Sequence, residues 1–216
     1  MSTDGKKRCT ETLINSLCGE LDCVKVMKHP IHRVLPWAAL ALAYVIMSVL
    51  IFGFRYDFNT KILDSSYVFE IILVFFMSMS SAFCAIWLCI PDMRGQKWMI
   101  AVPFTLLLSF SALIGIESLL RTFDIPEIKL HICYIEAGVF GVIPAIAIFF
   151  LSVTGKTTHP YLLAFMNALA VGGLGYIGLR LTCSNDDMGH AFFYHILPYL
   201  VFGVIVALAG RKIYKW

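Results

Sequence analysis

Two of the seven cysteines, Cys133 and Cys183, stand among side chains that could take part in metal or redox chemistry. Thiolates and imidazoles are ligands that zinc and softer metals accept, and two thiols can also form a disulfide. The neighbouring candidates are His131, Glu136, Asp186, Asp187 and His190. Three interpretations stay open for the two cysteines: ordinary buried residues, a structural disulfide, or a pair that responds to oxidants or metal ions. For a metal ion, the sequence predicts Cys133, Cys183, His131 and His190 as ligands.

The carboxylates near the two thiols affect which stimulus is favoured. Negative charge raises the pKa of a thiol and so opposes formation of the thiolate. A bound cation reverses that bias. The composition around the cysteines therefore favours a heavy-metal ion over an oxidant as the stimulus, and no resident cofactor is expected.

Membrane-spanning helices must position these residues, because apolar runs fill nearly everything after residue 33. A helix needs about 20 apolar residues to cross the hydrocarbon core, and only helices or closed barrels satisfy their backbone there. The runs are Val34–Phe54, Tyr67–Ile90, Trp98–Leu119, Gly138–Val153, Tyr161–Leu181 and Ala191–Gly210. We predict an all-α integral membrane protein with a polar tail, residues 1–33, and a bundle of six transmembrane helices within residues 34–216.

The basic residues predict the orientation of the bundle. Most of the 17 lysines and arginines lie in the tail, in the second and fourth loops, or at the C-terminus. Since such residues favour the cytoplasm, both termini should be cytoplasmic. Cys133 and Cys183 then fall in the third and fifth loops, facing an oxidising compartment. The remaining cysteines fall on the reducing side: Cys9, Cys18, Cys23, Cys84 and Cys89.

Several polar or glycine positions inside the apolar runs have a structural and a functional interpretation. Glu117 lies one helical turn from Arg121, a spacing that suits either an interfacial ion pair or part of an ion relay. Glu70 and Asn167 have no evident partner in the sequence. The run Gly173–Gly178 matches G-x-G-x-x-G, but it lacks the preceding strand that nucleotide binding requires. We interpret it as a site of close helix packing.

The tail contains an amphipathic segment. Its apolar residues recur at helical spacing: Leu13, Ile14, Leu17, Leu21 and Val24. Such a face can lie on a membrane or insert into the groove of a soluble partner. Acidic residues on the opposite face, such as Glu20 and Asp22, argue against the membrane surface. We predict that these apolar residues bind a soluble protein.

Several short motifs resemble the NrsF family of bacterial anti-sigma factors. They are Leu13-Ile14-x-x-Leu17, His29-Pro30-x-x-Arg33, Cys183-x-x-Asp186, Phe193-Tyr194, Gly203, and the terminal run from Arg211 to Trp216. The resemblance implies a non-enzymatic regulator in the bacterial inner membrane. It would sequester an extracytoplasmic-function sigma factor through the tail until stress is sensed, without touching nucleic acid itself. The two response cysteines of the family fall on Cys133 and Cys183.

Two other classes of function remain as alternatives. A membrane thiol oxidoreductase would be favoured by a C-x-x-C pair, which the chain lacks, and by a quinone site. A small transporter would be favoured by inverted repeats with broken helices, and the two halves show no convincing repeat.

Overall fold

A computed structural model describes residues 12, 14–16, 18–19, 28–90, 96–120, 132–155 and 157–214. Within these residues, six helices are long and apolar enough to cross a membrane. In chain order, these first to sixth spans are Pro30–Phe52, Ser65–Leu88, Trp98–Leu120, Ile132–Val153, Pro160–Thr182 and Met188–Gly210. A short helix, Phe58–Lys61, lies between the first two. The predicted all-α membrane bundle is confirmed.

Five of the spans begin earlier than the apolar runs predicted, and three of these begin at least three residues earlier. The first begins at Pro30, because a proline suits the first helical turn and the His29 side chain accepts a hydrogen bond from the Ile31 amide. The sixth begins at Met188, where the Asp187 carboxylate caps the helix. The fourth begins at Ile132. The prediction that Cys133 lies in a loop is therefore wrong, since it occupies the first helical turn.

The fifth span is the centre of the bundle. It packs against the first, second, fourth and sixth spans and is the most enclosed of the six, whereas the third span packs mainly on the second. Glycines allow this proximity: a Cβ on Gly173 would lie 2.8 Å from Cβ of Ser78, and one on Gly178 would lie 2.5 Å from Cδ1 of Phe140. Close helix packing is thus confirmed as the role of the G-x-G-x-x-G run.

The bundle has two ends of different character. At the end we call the tail end, the Arg33 guanidinium donates to the Leu151 carbonyl and to Oγ1 of Thr154, each at 2.6 Å. These bonds join the start of the first span to the end of the fourth. The opposite end carries Cys133 and Cys183, and we call it the cysteine end.

Most of the predicted partner-binding segment lies outside the described residues. Leu13, Leu17, Leu21 and Val24 are among those not described. Ile14 is described, and its side chain is 51% exposed. An exposed Ile14 is compatible with a partner-binding face.

Candidate metal centre at the cysteine end

Four side chains converge at the cysteine end. One potential ligand atom from each of Cys133, Cys183, His190 and His195 lies within 4.8 Å of the other three. Cys133 lies in the first turn of the fourth span, Cys183 directly follows the fifth, and both histidines belong to the sixth. Three of the residues are buried, and Cys183 is half-buried. We call these four residues the Cys2His2 cluster.

Three distances within the cluster match the edges of a tetrahedral metal site. The two sulfurs are 3.8 Å apart. Nε2 of His190 lies 3.7 Å from Sγ of Cys133 and 3.4 Å from Sγ of Cys183. Around a tetrahedral Zn²⁺, ordinary bond lengths place two sulfurs about 3.8 Å apart and a sulfur and a nitrogen about 3.6 Å apart. Cys133, Cys183 and His190 are therefore spaced like three ligands of such an ion, and His195 lies within 4.8 Å of each of them.

A π-helical turn brings the second histidine into the cluster. Residues Ala191–Ile196 form this turn at the start of the sixth span. In an α-helix, residues five apart point about 140° away from each other. In a π-helix, which closes i→i+5 hydrogen bonds, they lie one above the other. His190 and His195 consequently share one face.

The structure changes the predicted ligand set. It brings together Cys133, Cys183 and His190 as the sequence predicted, and it adds His195. The predicted ligand His131 lies outside the described residues. Histidines five apart are not a usual ligand spacing on an α-helix, so only a signal for the π-helical turn could have revealed His195.

Cys183 is prepared to act as a thiolate. The Cys133 thiol donates to Sγ of Cys183. That hydrogen bond, reinforced by the imidazole of His190, holds the pKa of Cys183 well below that of an ordinary thiol. The expectation that nearby carboxylates would oppose the thiolate is wrong for this cysteine. A thiolate is the form that binds metal ions and attacks oxidants.

Cations around Asp186 explain why this carboxylate does not repel the thiolate. Asp186 accepts from Arg55 at 3.0 Å, from Lys61 at 2.7 Å and from Arg180 at 3.0 Å. Partial burial alone would raise the pKa of Asp186, but the hydrogen bonds from Arg55 and Lys61 and the charge of Arg180 lower it. We call these four residues the Asp186 clamp. It fixes the loop after Cys183 to the segment between the first two spans, which carries Arg55 and Lys61, and to Arg180 near the end of the fifth span.

Arg180 also extends the ionic network into the bundle, which the sequence did not predict. Arg180 is 5% exposed and lies in the last turn of the fifth span. Its guanidinium donates to both carboxylate oxygens of Glu70, at 2.9 and 3.0 Å. The Tyr176 hydroxyl donates to Glu70 as well. Glu70, for which the sequence shows no evident partner, is therefore paired with two residues of the fifth span.

One comparison with known proteins finds a family that matches nearly the whole chain. A sequence model of the NrsF family, described as "Negative regulator of sigma F", matches residues 17–216. The chain belongs to the NrsF family. No curated protein and no solved structure matches it significantly. Membership identifies the chain as a negative regulator of a sigma factor and makes a sigma factor its partner.

The NrsF match covers all six spans and the complete Cys2His2 cluster. It begins at residue 17, so Leu13 and Ile14 precede it. Those two residues belong to the tail motif Leu13-Ile14-x-x-Leu17, of which the family match includes only Leu17.

Two other polar residues singled out in the sequence lie away from the cluster. Asn167 donates to Oγ of Ser152 at 2.9 Å and lies 3.5 Å from the Tyr214 hydroxyl, near the tail end. Asn167 therefore has buried partners and stabilises the packing of the fourth, fifth and sixth spans. Glu117 is half-buried in the third span, and its predicted partner Arg121 lies outside the described residues.

Proposed function

We propose that this protein is an anti-sigma factor of the bacterial inner membrane whose hold on its partner is controlled by a metal ion at the Cys2His2 cluster. The observation that supports it most strongly is the convergence of four potential ligand atoms within 4.8 Å. Two sulfurs and two imidazoles suit Zn²⁺ and Cd²⁺, because these ions accept tetrahedral sites of mixed sulfur and nitrogen ligands. Hard ions such as Mg²⁺ prefer oxygen ligands and would be excluded.

The ion would act by linking helix ends. Its ligands come from the fourth and sixth spans and from the residue that follows the fifth span. An ion that draws these side chains together changes the relative positions of three spans. Shifts of about 1–2 Å between packed helices are typical of such transitions. The ion must bind the releasing state more tightly than the holding state, since only differential affinity shifts an equilibrium.

The fourth span offers a route from the cluster to the tail. Cys133 lies near one end of this helix, and Leu151 and Thr154 lie at the other, about 27 Å away for 18 residues of α-helix. Both of these residues accept hydrogen bonds from Arg33, where the predicted tail ends. A displacement of the fourth span would therefore alter the start of the first span and the tail attached to it.

The tail is the proposed binding element for an extracytoplasmic-function sigma factor. We infer that both termini lie in the cytoplasm, because the basic residues concentrate beside them. The apolar stripe of Leu13, Ile14, Leu17, Leu21 and Val24 would enter a groove on the sigma factor as an amphipathic helix.

Metal titration of the purified protein tests the cluster directly. With Co²⁺ as a spectroscopic probe for a zinc site, we expect one ion per chain, with the absorption of a tetrahedral, thiolate-ligated ion. Cys183→Ser and His195→Phe should each lose that absorption. Cys89→Ser is the matched control, because Cys89 is a buried thiol at the tail end. Co²⁺ absorption that is unchanged in Cys183→Ser would exclude the cluster as the binding site.

A disulfide switch is the second candidate, favoured by the 3.8 Å separation of the two sulfurs. The Cys183 thiolate would attack peroxide, breaking its O–O bond to give a sulfenic acid and hydroxide, and the Cys133 thiol would then displace water from that sulfenic acid as the disulfide forms. Thiol trapping distinguishes the candidates. If Cd²⁺ alone protects both thiols in cells and a chelator fully reverses that protection, the metal site is supported. If peroxide protects both thiols of the metal-free protein and only a reductant reverses that protection, the disulfide is supported.

A further inference from the structure

A cavity of about 420 Å³ lies among the second, third, fifth and sixth spans, next to the Cys2His2 cluster. This volume falls within the range of about 300–1,000 Å³ that small-molecule sites occupy. Along the sixth span, the lining residues extend from His195 to Ala207, which is roughly 18 Å of helix. The cavity is therefore long and suits an extended occupant.

Apolar side chains form nearly all of the cavity wall, and its few polar residues differ in whether they have partners. The Tyr176 hydroxyl donates to Glu70, and the Tyr199 hydroxyl donates to the Ala137 carbonyl at 2.8 Å. His195 is fully buried, and one of its ring nitrogens faces the sulfur of Cys183, whereas the other has no hydrogen-bond partner in the described part of the chain. A buried polar group without a partner is costly. The imidazole of His195 can therefore form a further hydrogen bond at one end of the otherwise apolar cavity.

The surroundings of the cavity indicate how an occupant would enter. Leu200 and Val204 contribute to the wall, yet they are 53% and 60% exposed on the outside of the bundle. In a membrane, that outer surface faces lipid tails. An occupant can therefore arrive sideways from the bilayer, which selects for a lipid-soluble molecule.

From these observations, we propose that the cavity binds an isoprenoid quinone. A ring carbonyl would accept a hydrogen bond from the N–H of His195, and the isoprenoid chain would lie along the sixth span toward Ala207. A lipid acyl chain fits the cavity but offers no acceptor to His195. A phospholipid carries a charged headgroup next to its ester carbonyls, and the described residues of the cavity wall include no charged side chain to receive one. A quinone combines an acceptor at one end with an apolar chain and satisfies both features of the cavity.

Quinone binding would also affect the metal centre, because it would fix the tautomer of His195. A metal-ligating histidine usually donates its second N–H to an acceptor, and this partner fixes the tautomer that offers a lone pair to the metal. In this protein, the quinone carbonyl would be that acceptor. This link rests on the proposed metal site, whereas the quinone site itself does not depend on it.

Photolabelling of the full-length protein in phospholipid nanodiscs tests the quinone site. The probe is an azido-ubiquinone, and the competitors are decylubiquinone and n-decylbenzene, which has the same alkyl chain but no carbonyl. We expect labelled peptides from the fifth and sixth spans around His195, with competition by decylubiquinone alone. The loss of a hydrogen bond in His195→Phe should weaken binding by about tenfold.

Two matched phenylalanine substitutions on the sixth span distinguish loss of the cavity from misfolding. Val204→Phe places a ring in the wall and should weaken labelling to a similar degree, whereas Leu208→Phe, one turn away on the lipid-exposed surface, should leave it unchanged. Cys133→Ser removes a proposed metal ligand but not the cavity, so it should retain labelling even if no metal binds. Equal competition by n-decylbenzene, or labelling spread evenly over the outer surface, would show that the cavity holds only hydrocarbon and would overturn the proposal.

Discussion

Sγ of Cys133 lies 3.8 Å from Sγ of Cys183, although 50 residues separate the two cysteines in the chain. The contact joins the beginning of the fourth span to the end of the fifth. His190 and His195 add the beginning of the sixth span to the same point. A ligand of this cluster therefore acts on three helices at once.

The first prediction concerns orientation. Reporter fusions after Met1 and after Trp216 should both report the cytoplasm, because basic residues concentrate at these ends. Either terminus on the outside would place the Cys2His2 cluster on the cytoplasmic side and remove the basis for extracytoplasmic sensing. Labelling of an introduced cysteine at exposed Tyr56, between the first two spans, provides an independent check from outside intact cells.

The second prediction concerns the tail. Changing Leu13 and Leu17 together to Asp should weaken sigma-factor binding by several orders of magnitude, because burial of each leucine contributes about 1.5–3 kcal/mol and the new charges would be buried in the groove. Pull-downs at matched membrane levels measure the loss. Unchanged binding and unchanged repression in this double variant would show that the tail is not the binding element.

The third prediction concerns the pH dependence of Cys183. Its lowered pKa keeps the thiolate present in mildly acidic solution, so alkylation of the metal-free protein should stay fast as the pH falls below neutral. Cys133→Ala removes the main hydrogen bond to that thiolate, and the pKa of Cys183 should rise. The pH midpoint of alkylation, followed by mass spectrometry of the peptide that contains Cys183, should then move upward. An identical midpoint in both proteins would show that Cys133 does not stabilise the thiolate.

The fourth prediction concerns the buried ion pair of Glu70 and Arg180. Glu70→Gln leaves the charge of Arg180 in an apolar interior with Asp186 as its remaining carboxylate partner. Breaking a buried pair typically costs about 3–5 kcal/mol, so the melting temperature in detergent should fall markedly. Glu117→Gln, in the least enclosed span, is the control and should change it little. Equal melting temperatures for the two variants would mean that the pair is not important for stability.

Much of the fold could be predicted because apolar length is a strong signal. The apolar run predicts the third span to within one residue, and the distribution of basic residues predicts that Cys133 and Cys183 lie at the same end of the bundle, where the structure has them. The fourth span was predicted to begin too late, because Glu136 and Cys133 interrupt the apolar run although the helix continues through them.

The rest depended on tertiary structure. Glu70 and Arg180 are 110 residues apart, and no local pattern connects them. His195 joins the cluster only because a π-helical turn changes the direction of its side chain, which helical periodicity at 3.6 residues per turn does not predict. The Asp186 clamp likewise requires Arg55, Lys61 and Arg180 to meet from different elements.

The most direct test of the account is metal-dependent release of the partner. The full-length protein, bound in detergent to the sigma factor that co-purifies with it, is treated with Cd²⁺, and the sigma factor that remains bound is measured. The wild type and the Cys84→Ser, Cys89→Ser control should release the sigma factor. The Cys133→Ser, Cys183→Ser variant should bind the sigma factor normally and retain it in the presence of Cd²⁺. Release from that variant equal to release from the wild type would contradict the account.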